Sequence, residues 1–265
     1  MIIYKNAKIL TMGNVGIIDK GIVVVDGNRI VKVCEASDFN ESSYNGKVVD
    51  LESMVLMPGL INGHHHSAMW KSYGKIGDFK HDAATQAFMC ARLSLVALKK
   101  GVLATRDLAH KGDGHMQLKE CRDKGGILAP RIRGAMEIIA LPNGTAPNFS
   151  AEISSVDELR VEILRQAALR TDFIKIVANN ERMTHIDYED LTCPWFSQEL
   201  MTAAVNISHE VGLKVAVHAN GRTAVNWCIN AEVDVIEHGR CIDDDMAKRM
   251  VEKGITYVPT LSGQK

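Results

Sequence analysis

Residues 64–66 are three consecutive histidines, and they close the stretch Pro58-Gly59-Leu60-Ile61-Asn62-Gly63-His64-His65-His66. Alternate side chains of a strand share a face, so His64 and His66 point one way and His65 the other. An i, i+2 imidazole pair can chelate one metal ion from a single strand end. The same triplet also reads as the polar start of a loop. Further along, Phe173-Ile174-Lys175-Ile176-Val177 sets a lysine in the middle of an apolar strand. Stripping water from an ammonium is costly, so a buried lysine tends to give up its proton and become a reactive amine. The bland alternative is a lysine reaching out toward a carboxylate. Val215-Ala216-Val217-His218 and Asp234-Val235-Ile236-Glu237-His238 each end a strand pattern in histidine. Taken singly, a terminal histidine reads best as a structural hydrogen-bonder. Taken together, His64, His66, Lys175, His218 and His238 fall at the C-terminal ends of four strands.

Those ends share a rim only if the strands run parallel. From residue 55 onward short apolar runs alternate with amphipathic helical patterns. The strand candidates are 55–61, 102–106, 131–135, 173–178, 214–218, 233–237 and 256–259. Helical patterns cover about 84–100 and begin near Ser155, Ser197 and Asp243. Ser155 with Glu158 makes a capping box. Asp243-Asp244-Asp245 reads as a helix N-cap, not a metal site. Strand–helix alternation implies a parallel sheet with crossovers, and later units repeating at about 20 residues favour a (β/α) barrel. No Gly-rich phosphate loop follows a strand, which counts against a nucleotide fold. In a barrel the C-terminal strand ends form the reactive face.

The first 54 residues differ. They hold short β-branched runs separated by turn signals such as Asp26-Gly27-Asn28, and read as a small all-β unit of hairpins. The expected organisation is therefore 1–54, a small β-sandwich portion, and 55–265, a barrel.

With a formal net charge of −1, nothing points to nucleic acid or an anionic membrane as the main partner. No apolar run is long enough to span a bilayer, and the N-terminus lacks a signal-peptide pattern, so the expected home is the cytoplasm. The six cysteines are scattered, without a Cys-x-x-Cys pair, and read as reduced. His110 and His115 flank a Gly/Asp-rich loop on the rim side, a candidate substrate contact.

The combined motifs resemble the amidohydrolase superfamily, whose Pro-Gly-Leu-Ile-Asp-x-His-x-His signature is similar to residues 58–66. The order of His-x-His, strand lysine, strand-end histidine and Ile236-Glu237-His238-Gly239 agrees with it as well. Gly101-Val102, Arg106-Asp107-Leu108 and His218-Ala219 make the chain similar to the imidazolonepropionase-like and Xaa-Pro dipeptidase-like branch. The resemblance implies an α/β fold: a (β/α)8-type TIM barrel beside a small β-sandwich. It implies a binuclear metal site, with two zinc ions. His64 and His66 would bind one, His218 and His238 the other, and carbamylated Lys175 would bridge them. It implies hydrolysis of a C–N bond in a small-molecule or dipeptide-like substrate by a metal-activated hydroxide. The superfamily also places a proton-shuttling aspartate at the end of barrel strand eight. After strand seven, near Thr256-Tyr257-Val258-Pro259, no such strand follows in this sequence. The chain is thus expected to be a barrel lacking its last strand, with no catalytic aspartate, impaired turnover, and a tendency to homo-oligomerise or domain-swap. The competing expectation is a non-catalytic metal-binding or interaction protein of the same descent.

Overall fold

The computed structural model describes residues 1–67, 71–72, 75–76, 83–110, 112, 114–142, 149–179 and 196–261. The chain divides into two compact units, Met1–Leu60 and Ile61–Lys265.

The first unit is one five-stranded sheet. Its strands are β1 (Ile2–Leu10), β2 (Ile17–Asp26), β3 (Arg29–Glu35), β4 (Lys47–Asp50) and β5 (Val55–Leu56). The order is β3-β2-β1-β4, and β5 also pairs with β1. The β2–β3 hairpin turns at Gly27-Asn28, where Gly27 takes a φ of 56° that only glycine adopts at little cost. Alternation places Ile3, Ile22 and Val24 on one face, and Ala7, Ile9, Ile18 and Val23 on the other. The predicted strand 55–61 is in fact two. Pro58 and Gly59 separate β5, which pairs with Lys8 and Ile9, from the strand carrying the histidines.

The second unit begins with β6 (Leu60–His65). The short β7 (Lys71–Ser72) and β8 (Lys75–Ile76) follow, then α1 (Ala83–Lys99), β9 (Val102–Asp107), α2 (Gly114–Asp123), β10 (Arg131–Gly134), β11 (Ile138–Ala140) and β12 (Ser150–Glu152). Strict alternation then sets in: α3 (Val156–Ala168), β13 (Ile174–Val177), α4 (Gln198–Glu210), β14 (Val215–Ala219), α5 (Arg222–Ala231), β15 (Val235–His238), α6 (Asp244–Glu252) and β16 (Thr256–Val258). Two parallel sheets result, β10-β9-β6 and β12-β11-β13-β14-β15-β16. They join where β10 and β11 follow one another. Ala135 N donates to Asp107 O, Asp172 N to Gly134 O, and Ile139 pairs with Ile176. Seven of these nine strands, β6, β9, β10, β13, β14, β15 and β16, match the strand candidates of the sequence, and the wall does not close among the described residues. No helix among those residues is long and apolar enough to cross a membrane.

The helices begin where capping chemistry dictates. Ser155 accepts from Glu158 N while the Glu158 carboxylate accepts from Ser154 N, close to the predicted capping box. Ser197 caps α4 and Asp243 caps α6 through Met246 N. Cys34, Cys90, Cys121, Cys228 and Cys241 are free thiols, and Cys193 lies outside the described residues.

Register decides which side chains meet. Ile174, Ile176, Val215, Val217 and Ile236 face the helices and form the largest core cluster. The alternate residues Phe173, Ala216 and Val235 pack on the other face, with Leu108 and Ala135. Lys175, His218 and Glu237 share that inner face, because Lys175 lies opposite Ala216 and His218 opposite Glu237.

Candidate functional site

The inner face of the wall is mostly apolar at its N-terminal end and ionisable at its C-terminal end. Four imidazoles form a continuous chain there. The ring centroids of His66 and His64 are 5.1 Å apart, those of His64 and His238 4.7 Å, and those of His238 and His218 4.5 Å. All the sequence-predicted histidines of the site are therefore brought together. His64 sits in β6 with its backbone N–H bonded to Asn62 Oδ1, and His66 follows the strand.

His238 reaches this chain by an unusual backbone. Strand alternation sends Glu237 inward and His238 outward. A left-handed φ of 66° at His238 breaks that alternation, and Gly239 follows at 57°. A Cβ on Gly239 would lie 2.6 Å from both Ile242 Cδ1 and Tyr257 Cε2, so glycine is required on two counts. Tyr257 Oη donates to the His238 carbonyl at 3.0 Å, and His238 Nδ1 lies 2.7 Å from Thr260 Oγ1. Positive φ in a residue other than glycine is uncommon and tends to gather at functional sites.

Lys175 is 2% exposed, and its Nζ has no hydrogen-bond partner among the described residues. Burial lowers its pKa to about 8, with the nearby Glu237 carboxylate opposing and Arg106 adding to the fall. Its charge in turn helps to depress His64, His66 and His238. For all three histidines desolvation is the larger cause, and they are neutral at physiological pH. Neutral imidazole is the form that binds metal.

Two further groups had no role in the sequence reading. Glu237 is fully buried and accepts from His64 Nδ1 at 2.7 Å. Arg106 binds the other Glu237 oxygen through Nη2, donates from Nε to Gly63 O at 2.8 Å, and lies over the Phe173 ring. Burial pushes the Glu237 carboxyl up, but the hydrogen bond from His64, followed by the charges of Lys175 and Arg106, holds it below its usual range.

His110 and His115 do not join the cluster. Both are buried, and their rings lie 5.3 Å apart. His110 Nε2 is 3.4 Å from Cys90 Sγ of α1, and His115 packs on Gly134, so this pair fills the layer between helices and strands. Lys111 and Asp113 of the intervening loop lie outside the described residues. Asp107 points into the same layer and accepts from Ser67 Oγ, and burial raises its pKa to about 7.

The resemblance to amidohydrolases implies divalent metal ions, which need unprotonated nitrogen or oxygen donors. Among the described residues no group of three or more His, Cys, Asp or Glu side chains is arranged to hold an ion. The donor chemistry does fit. Lys175 Nζ is buried without a hydrogen-bond partner among those residues, and desolvation holds His66 well below the usual histidine pKa, favouring the neutral form that binds metal. His64 Nε2 and His66 Nε2 stand 3.2 Å apart. Two tetrahedral nitrogen ligands at about 2.05 Å from one zinc would be about 3.3 Å apart.

A sequence profile of the amidohydrolase family matches residues 55–264. The chain belongs to that family. An Aspergillus niger ochratoxinase is 26% identical over 241 residues, covering 78% of this amidohydrolase and 48% of the relative. An uncharacterized protein of Mycobacterium tuberculosis is 29% identical over 208 residues, covering 78% and 50%. This amidohydrolase thus spans about half the length of the curated relatives it matches. Among solved structures, a Xaa-Pro dipeptidase with methionine bound in its active site superposes with a TM-score of 0.84. It is 25% identical, over 98% of this chain and 67% of the other. The A. niger ochratoxinase structure gives a TM-score of 0.82 at 22% identity, over 98% and 65%.

Proposed function

We propose that this amidohydrolase is a metal-dependent hydrolase of a C–N bond in a small substrate, an amide, cyclic amide or dipeptide. His64 and His66 would hold one divalent cation and His218 and His238 a second, with zinc the metal and carbamylated Lys175 between them. The observation that carries this reading is the chain of four imidazoles beside a buried amine without a partner among the described residues. When bound, such metals supply a water acidic enough to act as hydroxide near neutral pH.

The chain's own residues do the rest. A lysine with a pKa of about 8 is partly free amine at neutral pH. Its Nζ lone pair attacks carbon dioxide, a new N–C bond forms, and one proton leaves to solvent. The product is an anion that only a cation can balance in so buried a place. Thr260 at His238 Nδ1 fixes that ring. The likeness to a Xaa-Pro dipeptidase favours a dipeptide-like substrate. Among the described residues no aspartate stands in the cluster to move the proton, so the 265-residue chain alone is expected to turn over slowly. β6 and β16 each pair with a single strand among those residues, and self-association through such edges, as a homo-oligomer or by strand exchange, belongs to the same proposal.

The test is a panel of dipeptides, N-acyl amino acids and cyclic amides, offered to zinc-loaded and chelator-treated protein. Slow hydrolysis that chelation abolishes and zinc restores is expected. Zinc retention with no turnover on any substrate would instead make the chain a non-catalytic metal-binding protein.

A further inference from the structure

We propose that Glu237 is the positioning residue of the histidine cluster: it fixes the tautomer and place of His64, and Arg106 locks it there. The geometry stands on its own, and the consequence for metal affinity rests on the function proposed above.

A fully buried carboxylate must have its lone pairs satisfied. Glu237 divides its two oxygens. Oε1 accepts from Arg106 Nη2, and Oε2 accepts from His64 Nδ1 at 2.7 Å. The third arm of this brace is Arg106 Nε, which donates at 2.8 Å to Gly63 O, one residue before His64. A single guanidinium on β9 therefore grips the backbone that carries His64 and the carboxylate that orients its ring. The brace also ties β6 and β9 to β15, which belongs to the other parallel sheet.

A carboxylate held by a guanidinium can only accept, so the proton of His64 sits on Nδ1. In a neutral imidazole the lone pair then lies on Nε2. That atom faces His66 Nε2 at 3.2 Å, the bite expected of two ligands on one ion. Free histidine prefers the opposite tautomer. Glu237 thus decides which nitrogen of His64 is free to donate and where it points, without touching substrate. Such outer partners of metal-binding histidines change metal affinity by about 10–100-fold when removed.

Nitrogen-15 NMR of the histidine-labelled, metal-free full chain tests this without any variant of Glu237. The expected spectrum shows His64, assigned by its loss in His64→Gln, protonated at Nδ1 and bare at Nε2. In Glu237→Gln the two tautomers should mix, and zinc competition against a chromophoric chelator should show about 10–100-fold weaker binding. Arg106→Lys keeps a positive charge but loses the Gly63 strap, and should fall between the two. A purely structural ion pair predicts otherwise. His64 protonated at Nε2 in the unmutated chain, or a tautomer unchanged in Glu237→Gln, overturns the proposal. Zinc uptake by the unmutated chain reads the metal assignment separately: its failure would sink the proposed function and leave the tautomer result standing.

Discussion

At the scale of single residues, His238 and Gly239 show how a site departs from the rules of the strand that carries it. The turn that redirects His238 needs two successive left-handed residues, and the second has no room for a side chain. Gly239→Ala should therefore cost about 1–2 kcal/mol of stability, from backbone strain and a small overpacking against Ile242 and Tyr257. Urea denaturation checks it, and an unchanged midpoint would mean that the turn relaxes freely. The motif Ile236-Glu237-His238-Gly239 was visible in the sequence, but the reversal of His238 was not. Alternation alone places it on the wrong face, and only backbone dihedrals correct that. The Arg106–Glu237 pair was equally hidden, since the two residues lie 131 positions apart on strands of different sheets.

At the scale of elements, what was legible followed from capping chemistry and apolar runs. Ser155 and Glu158 announced α3, and the buried inner strands announced themselves as near-continuous apolar segments. Two helices were missed for physical reasons. α2 is polar, starts at a glycine, and buries only His115 and Leu118. α5 starts after Gly221, which has no side chain with which to cap it. β11 and β12 fall between the strand candidate 131–135 and the helix beginning near Ser155, where the sequence suggested no element, and 143–148 lie outside the described residues. Because α3 is held by a reciprocal cap, Ser155→Ala should destabilise the chain by about 1 kcal/mol. The same substitution at Ser154, which contributes only a backbone N–H to the box, should cost less than half as much. Equal losses measured by thermal or urea unfolding would contradict that account.

At the scale of the whole molecule, burial of histidine sets the response to acid. His64, His65, His66, His115 and His238 all have pKa values lowered chiefly by desolvation. Unfolded histidine takes its proton near pH 6.5, so below that pH the unfolded chain binds more protons than the folded one. The stability these residues contribute is present above about pH 6.5 and is lost as pH falls. Asp107 works the other way: its pKa is raised to about 7, so its contribution falls as pH rises toward 7. Five histidines against one aspartate decide the sign. For the metal-free chain the urea midpoint should rise between about pH 5 and pH 7, and a fall over that range would contradict the burial of these rings. Lys175, lowered to about 8, adds a further rise as pH climbs from 8 toward the ordinary lysine value, because the unfolded chain then holds the extra proton.

The central claim is that residues spread from His64 to His238 form one receptor for two cations. The most direct measurement is the zinc content of the 265-residue chain, purified without chelator and dialysed against the ion, by inductively coupled plasma mass spectrometry. Two zinc ions per chain are expected, falling to one or none when His64 and His66 are both replaced by asparagine. A folded chain that stays zinc-free when the ion is offered would contradict the account.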